Sequence, residues 1–387
     1  MNLNKITFVI PSRNNLEFLQ LAYKSIRDLT TKHEILVLND ASSDGTQEWI
    51  DAQEDKDLIT HHNPGPDRIG IVGMFDKGIE MARTDIICAF HSDMVVCKDY
   101  DKNILKHLER GVVVSGTRVE PPLHPDGPEK IIRNYGIEVE EFNMEAWYSG
   151  SDSLKEDKVT EGIFAPWCMY KEDFLAVGGH DELFAPQSKE DSDLFNRFQL
   201  NGYKFIQPWD ALVYHFTSRG SRFNKHSGGS AGNNSQEWIL TTTKNGRNFI
   251  RKWGHSVLHD SLMKPIIPSK YNTGFWIHNC SIELLQALEP WADSINLIDT
   301  PDDILNSYLD KEQPNTIIPL KEKFNNFEKV DVFVKIDGKT FNKQDFFGIQ
   351  QLSQILDESG TIGQFQLGNL FINIKNLVKN ENKLIKV

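Results

Sequence analysis

The first hundred residues alternate between short apolar runs, rich in β-branched residues, and segments whose apolar residues recur at helical spacing. The pattern predicts strands at residues 6–10, 34–38, 58–61 and 85–90, with helices at 16–29, through 49–50 and at 70–83. Strands that alternate with helices build βαβ units and a mostly parallel sheet. The chain is therefore predicted to be an α/β protein whose sheet is flanked by helices.

Three polar clusters follow predicted strands directly. They are Pro11-Ser12-Arg13, Asn39-Asp40 and His91-Ser92-Asp93. In open parallel sheets, ligands bind beyond the carboxyl ends of the strands, so these clusters mark a candidate site. The first strand is followed by no GxGxxG motif, and the chain has no GxxxxGK[ST] motif. A dinucleotide site is therefore not expected, and a P-loop is excluded.

Composition narrows the class of protein further. The net charge of −13 disfavours broad binding to nucleic acid or anionic membranes. The four cysteines are widely spread and lack zinc-site spacing, so free buried thiols are expected. No apolar run reaches ~18 residues, so no stable membrane insertion is expected. The first five residues lack the layout of a signal peptide. We therefore expect a cytoplasmic protein.

One segment departs from the acidic average. Residues 216–255 contain seven Lys and Arg residues and a single acidic residue. Such a stretch is either a solvated surface or part of an anion site. Its place just after the predicted strand that ends at His215 favours an anion site.

The sequence changes character after about residue 255. Segments at 330–336, 345–356 and 365–374 predict a small separate α/β unit, in which we find no repeat and no catalytic motif. We therefore predict a first domain at residues 1–255 and an accessory domain at 256–387. The second domain is expected to serve packing or oligomerisation, which leaves a homo-oligomer open.

The order of motifs in residues 5–250 resembles family 2 glycosyltransferases. An apolar strand ends in Pro11 and Ser12, and Asn39-Asp40-Ala41-Ser42-Ser43-Asp44-Gly45-Thr46 is similar to the family's V-D-D-G-S-x-D-G-T. Four elements follow in family order: the helix 73–82 with Asp76, Phe90-His91-Ser92-Asp93 at the DxD position, Lys189-Glu190-Asp191-Ser192-Asp193-Leu194 at the E-D-x-D-L position, and Tyr214-His215. The resemblance implies a GT-A fold, which is a Rossmann-like, mostly parallel sheet with helices on both faces.

The resemblance also implies a divalent cation, Mn²⁺ or Mg²⁺, and a nucleoside-diphosphate sugar donor. Asp93 and His215 would be the metal ligands, since carboxylate and imidazole suit such ions. His91 stands where the family often has the first aspartate of DxD. A cation of this kind offsets the charge of a departing diphosphate.

Further site residues follow from the same resemblance. Asp191 would be the general base, aided by Glu190, because inverting transfer needs one base near the acceptor hydroxyl. Contacts to the donor are expected from Pro11, Ser12, Arg13, Asp40, Arg68, Asp76, Ser92, Arg219 and Arg222.

These features predict an inverting, metal-dependent glycosyltransferase, with a UDP-sugar as the expected donor. The imperfect DxD motif leaves open a non-catalytic nucleotide-sugar or glycan-binding protein, although the intact Glu190-Asp191 pair argues against it. A nucleotidyltransferase is disfavoured because no Gly-rich basic loop follows the first strand. The acceptor stays open among a saccharide, a lipid-linked sugar, a protein side chain and a modified nucleic-acid base, and a phosphate-bearing acceptor fits the basic stretch.

Overall fold

The computed structural model describes residues 5–379, which divide into two compact units. The first comprises residues 5–180, 185–241 and 259–265, and the second comprises 181–184, 242–258 and 266–379. Helix α8 (Gln236–Trp253) runs across the division. A domain boundary at residue 255 therefore stays a prediction about which segments fold independently.

The first unit is an α/β structure. Its strands are β1 (Ile6–Ser12), β2 (Glu34–Asp40), β3 (Leu58–Asn63), β4 (Ile86–Ala89), β5 (Met94–Val96), β6 (Val112–Ser115), β7 (Thr117–Glu120), β8 (Ile131–Ile132), β9 (Val159–Thr160), β10 (Trp167–Tyr170), β11 (Lys204–Pro208) and β12 (Leu212–His215). Its helices are α1 (Leu16–Arg27), α2 (Thr46–Asp51), α3 (Ile71–Met81), α4 (Tyr100–Leu105), α5 (Met144–Asp152), α6 (Lys171–Ala176) and α7 (Glu190–Leu200), together with the start of α8.

The larger sheet has the strand order β3-β2-β1-β4-β10-β6-β11-β9. Strands β1 to β4 pair in parallel, whereas β10 runs antiparallel to β4 and β6. Phe8, Val9 and Leu36 are fully buried, as expected for parallel strands covered on both faces. The predicted α/β class with a mostly parallel sheet is confirmed.

A second, smaller sheet has the order β5-β12-β7-β8. In this sheet His215 lies opposite Met94, and Tyr214 lies beside Val119. The register therefore brings His215 next to Asp93, which precedes β5, and next to Glu120, which ends β7. The peptide N–H of Phe216 also donates to the Asp93 carbonyl at 3.0 Å. This sheet joins segments that are more than a hundred residues apart in sequence.

The second unit is also α/β, which confirms the predicted smaller C-terminal domain class. Its strands are β13 (Thr273–His278), β14 (Ser294–Ile298), β15 (Val332–Asp337), β16 (Gly363–Leu367) and β17 (Leu370–Ile374). Its helices are α9 (Ile282–Leu288), α10 (Asp302–Glu312), α11 (Lys343–Gln350) and α12 (Leu352–Ser359), together with the end of α8.

The sheet of the second unit has the order β14-β13-β15-β17-β16. The first three strands pair in parallel, and β17 and β16 form an antiparallel hairpin. Phe275, Val334 and Ile372 are buried on one face, while Trp276 and Phe371 remain 40% and 43% exposed on the other. The period of two along each strand places alternate residues on these two faces.

Candidate functional site

A cleft of about 310 Å³ opens in the first unit beyond the carboxyl ends of β1, β2 and β4, as the sequence predicts. Eleven of its lining residues were predicted as donor, metal or base residues: Pro11, Ser12, Arg13, Asp40, Arg68, Ser92, Asp93, Glu190, Asp191, His215 and Arg222. The cleft thus joins β1, β2, β4, α7 and the segment that follows β12.

His91, Asp93 and His215 form a cluster suited to a metal ion. One potential ligand atom of each residue lies within 4.8 Å of the other two. The His215 Nε2 is 3.7 Å from the Asp93 Oδ2. Two imidazole nitrogens and one carboxylate oxygen suit a first-row transition ion such as Mn²⁺ better than Mg²⁺, which prefers oxygen ligands. The residues therefore fit the expected cation.

From the sequence, His91 is interpreted as a departure from the family motif and is not predicted to be a metal ligand. Burial lowers the pKa of its imidazole, with the charges of Asp93 and Asp191 acting in the opposite direction. The ring is therefore neutral near pH 7, and one nitrogen keeps its lone pair. The sequence could have indicated His91 as a metal ligand, because His91 occupies the first position of the DxD motif.

Glu120 and Arg118 also line the cleft, although no sequence motif marked them. The Glu120 Oε1 accepts from the His215 Nδ1 at 2.8 Å and from the Arg118 Nη1 at 3.0 Å. Burial raises the pKa of Glu120, but Arg118, His215 and Lys130 outweigh it and hold that pKa well below its usual range. Only the pairing of β7 with β12 reveals this contact.

Asp191 and Glu190 begin α7, in the first turn of the helix. Lys189 precedes them with φ +73°, which turns the chain into the helix at the cleft. Burial and the nearby charge of Asp191 raise the pKa of Glu190 to about 8. The Glu190 Oε2 has no hydrogen-bond partner within the described chain. Near pH 7, Glu190 is therefore protonated and able to donate into the cleft.

Asp40 lines the cleft and orders the loop beside it. Its carboxylate accepts from the Asn63 Nδ2 at 2.7 Å and from the peptide N–H groups of Ile69 and Gly70 at 2.8 and 2.7 Å. Asp40 therefore holds the loop between β3 and α3. The buried Ser12 Oγ lacks a hydrogen-bond partner within residues 5–379.

Three charged groups meet at one rim of the cleft. Glu237 contacts the Arg68 Nη2 at 2.7 Å and the Arg13 Nη1 at 3.6 Å. Burial lowers the pKa of Arg68, against the opposing effect of Glu237. Both arginines line the cleft near the end of β1.

Arg222 provides a positive charge in the cleft. Its Nη1 donates to the His124 Nε2 at 3.1 Å, and its Nε donates to the Asn234 Oδ1. Burial lowers the pKa of His124 to about 4, so this ring is neutral and accepts the bond. No carboxylate of residues 5–379 forms an ion pair with Arg222, which leaves its charge available to an anion.

The structure places two predicted donor residues outside the cleft. The Asp76 Oδ1 is 2.6 Å from the His180 Nδ1, so Asp76 ties α3 to the segment after α6. The Arg219 side chain donates to the Ile137 carbonyl and contacts Glu138 at 3.2 Å. Only the peptide N–H of Arg219 points to the site, where it donates to the Asp93 Oδ2 at 2.5 Å.

The basic stretch at 216–255 is not one anion site. Of its seven basic residues, Arg222 alone lines the cleft. Lys225 pairs with Glu138 in the first unit. In the second unit, Arg247 and Arg251 pair with Glu312. Their spacing in sequence does not correspond to one surface, because α8 crosses from one unit into the other.

None of the helices within residues 5–379 combines the length and apolar character that crossing a membrane requires.

The chain is similar in sequence to known glycosyltransferases. Residues 7–174 match the family model described as glycosyl transferase family 2. The undecaprenyl-phosphate mannosyltransferase of Micrococcus luteus is 27% identical over 121 residues, which cover 30% of this chain and 49% of the relative. The chain therefore spans about half the length of the curated relative that it matches.

Three solved structures are similar to part of the chain. GalNAc-T7 with UDP, GalNAc and Mn²⁺ is 12% identical, with a TM-score of 0.45 over 65% of this chain and 51% of that chain. The mannosyltransferase PcManGT of Pyrobaculum calidifontis, in complex with GDP-Man and Mn²⁺, is 15% identical, with a TM-score of 0.42 over 64% and 63%. TarS 1–349 of S. aureus is 13% identical, with a TM-score of 0.41 over 56% and 61%.

Proposed function

Residues 7–174 of this chain belong to glycosyl transferase family 2, and from this premise we propose that the protein transfers a sugar from a nucleoside-diphosphate donor to an acceptor hydroxyl. The reaction is proposed to be metal-dependent and to invert the anomeric centre, with Asp191 as the general base. A UDP-sugar is the proposed donor.

One observation carries the proposal. A single cleft contains a cluster of metal-ligating side chains, an arginine without a carboxylate partner in the described chain, and a carboxylate at a helix start. These three groups match three needs of the reaction, which are charge compensation for the diphosphate, binding of the phosphates and removal of the acceptor proton. A protein that only binds the nucleotide sugar has no need of the last group.

His91, Asp93 and His215 would hold the cation. When bound, it would offset the negative charge that develops on the leaving diphosphate. Arg222 supports the same task, since guanidinium groups bind phosphate oxygens in a paired geometry. The Ser12 hydroxyl, Arg13 and Arg68 are proposed to contact the nucleoside.

Asp191 is proposed to accept the proton of the acceptor hydroxyl as that oxygen attacks the sugar. Its place in the first turn of α7 suits a carboxylate, because the helix dipole is positive at that end. The protonated Glu190 beside it can donate a hydrogen bond into the cleft. The two neighbouring carboxyl groups can thus take different roles in one site.

The acceptor is proposed to be a saccharide or another hydroxyl-bearing molecule. A phosphate-bearing acceptor is the alternative, since the Micrococcus luteus relative is named for undecaprenyl phosphate.

A thermal-shift screen tests the donor and the cation together. We expect a UDP-sugar with Mn²⁺ to raise the melting temperature more than either does alone, because ligands that bind the folded state stabilise it by mass action. GDP-sugars serve as the matched comparison. Hydrolysis is then measured for the donor that raises the melting temperature. Binding without any turnover, with or without candidate acceptors, would favour a non-catalytic binding protein.

A further inference from the structure

Glu120 lies beside the metal cluster, where its carboxylate contacts the predicted metal ligand His215. We propose that Glu120 is a positioning residue that fixes the tautomer and the orientation of His215, so that Nε2 presents its lone pair to the cation. The inference rests on the proposed function, because it assigns a role toward the cation of the same site.

The smaller sheet sets the contact. Strand β7 ends at Glu120 and pairs in parallel with β12, which ends at His215. The His215 Nδ1 is 2.8 Å from the Glu120 Oε1, while Nε2 lies 3.7 Å from the Asp93 Oδ2. Nδ1 is therefore hydrogen-bonded to Glu120, and Nε2 faces Asp93 in the metal cluster.

The chemistry of the contact decides which nitrogen carries the proton. An ionised carboxylate only accepts hydrogen bonds, so Nδ1 must donate. A neutral His215 then has no proton on Nε2. The peptide N–H of Ser218 points at Nε2 from 3.4 Å, which agrees with a lone pair there. A carboxylate that accepts from a ligating histidine also increases the basicity of the ring.

Two cations keep the Glu120 carboxylate in place. The Arg118 Nη1 donates to Oε1 at 3.0 Å, and the Lys130 Nζ donates to Oε2 at 2.9 Å. The Glu120 side chain is 0% exposed, so water does not compete for these bonds. Held from both oxygens, the carboxylate cannot turn away from His215, and the imidazole is fixed in turn.

A purely structural role is the competing explanation, in which Glu120 only neutralises Arg118 and Lys130. The two roles differ in what they change. Loss of a structural counter-ion lowers the free energy of unfolding, whereas loss of a positioning residue also changes the tautomer of His215 and the affinity for Mn²⁺.

The first test measures Mn²⁺ binding by electron paramagnetic resonance of the free ion. In Glu120→Gln, one amide oxygen faces three donors, so His215 loses its fixed acceptor. We expect the Kd for Mn²⁺ to rise about 10- to 100-fold, as is usual when the outer partner of a ligating histidine is removed. Glu129→Gln is the matched control, because Glu129 contacts the same Arg118 at 3.5 Å but not His215. It should leave the Kd within about twofold.

The second test reads the tautomer of His215 without metal, by ¹⁵N-histidine NMR of the wild-type chain. The resonance is assigned with His215→Asn. We expect the neutral ring to carry its proton on Nδ1, and a neutral ring with its proton on Nε2 would overturn the inference even if Glu120→Gln fails to fold.

A double-mutant cycle completes the test. In the His215→Asn background, Glu120→Gln should no longer change the Kd for Mn²⁺, because the effect passes through the imidazole. An undiminished effect would contradict the positioning role. If the wild type binds Mn²⁺ and Glu120→Gln binds it equally well, this inference alone fails. If the wild type binds no Mn²⁺, the metal dependence in the proposed function fails.

Discussion

The two carboxyl groups at the start of α7 differ in burial and partners, although they are neighbours in sequence. Glu190 is 7% exposed, and burial raises its pKa to about 8, whereas Asp191 lines the open cleft. The sequence places both side chains in one motif but cannot show that the pKa of Glu190 is raised. That shift comes from the way the surrounding chain buries the Glu190 carboxyl group.

Asp191→Asn should abolish most sugar transfer while leaving the donor bound. We expect the rate of transfer to fall about 10²- to 10⁴-fold, the usual contribution of a general base. The Kd for UDP should change little, because the amide keeps the size of the side chain. Both quantities are measured on purified protein, by product formation and by calorimetric titration.

Asp303→Asn is the control for that substitution. Asp303 also lies in the first turn of a helix, but its side chain is exposed in the second unit. It should retain full activity. Turnover by Asp191→Asn at the wild-type rate would remove Asp191 from the role of base.

Chelation should suppress transfer, and Mn²⁺ should restore it better than Mg²⁺. The physical reason is the ligand set, since imidazole nitrogens from His91 and His215 suit transition ions and Mg²⁺ prefers oxygen. Activity is measured after EDTA treatment and titration with each ion. An enzyme that is indifferent to EDTA, or that works equally well with Mg²⁺, would contradict this ligand set.

At the scale of elements, the loop between β3 and α3 depends on one glycine. Gly70 has φ +93° and ψ 168°, a region that is essentially restricted to glycine. A Cβ at this position would lie 2.4–2.5 Å from Pro186 atoms, including its backbone. The Gly70 peptide N–H also donates to Asp40 in the cleft wall. The backbone conformation of Gly70 therefore helps to position Asp40 in the cleft wall.

Gly70→Ala should lower the free energy of unfolding by more than Gly202→Ala and should weaken donor binding. Gly202 has φ +79° but nothing within 4 Å of a new Cβ, so it isolates the cost of the left-handed backbone, roughly 1–2 kcal/mol. Urea denaturation and UDP titration measure the two effects. Equal losses of stability in both variants would show that the approach of Pro186 is unimportant.

Two other structural elements were not predicted from the sequence pattern. The sequence marks residues 365–374 only as part of the small α/β unit, and the structure folds this region into the hairpin of β16 and β17. The Gly368-Asn369 pair between the two strands is a turn signal that could have divided them. The smaller sheet of the first unit has no such signal, because β5, β7 and β12 are three- or four-residue strands distant in sequence.

At the scale of the whole molecule, the second unit is held by a buried group of charges. Glu289 is 0% exposed and contacts the Arg251 Nη2 and the Lys323 Nζ at 2.6 Å. Burial raises the pKa of Glu289, but Lys323 and Arg251 outweigh it and hold that pKa well below its usual 4.5. The ionised carboxylate is therefore bound more tightly in the folded chain than in the unfolded one.

This network predicts a pH-dependent stability. Its contribution is fully present above the unfolded pKa of about 4.5 and is lost as the pH falls toward the lower folded value. Glu289→Gln should cost about 3–5 kcal/mol at pH 7, since it leaves buried cations without their partner. The difference from wild type should narrow between about pH 5 and pH 3, as denaturation at each pH measures. A constant difference would contradict the assignment.

The role of the second unit stays a prediction. A homo-oligomer formed through this unit is an expectation that light scattering on the purified chain checks directly. A mass equal to one chain at micromolar concentrations would remove it.

The sequence by itself determined the α/β class, the positions of β1 to β4 and eleven of the residues that line the cleft. These follow from local periodicity and from polar residues at strand ends, which neighbouring residues specify. Only the tertiary structure decided that His91 joins Asp93 and His215, that Glu120 supports His215, and that Asp76 and the Arg219 side chain lie elsewhere. Such contacts depend on which strands pair and in which register, and that is set by the packing of segments far apart in the chain.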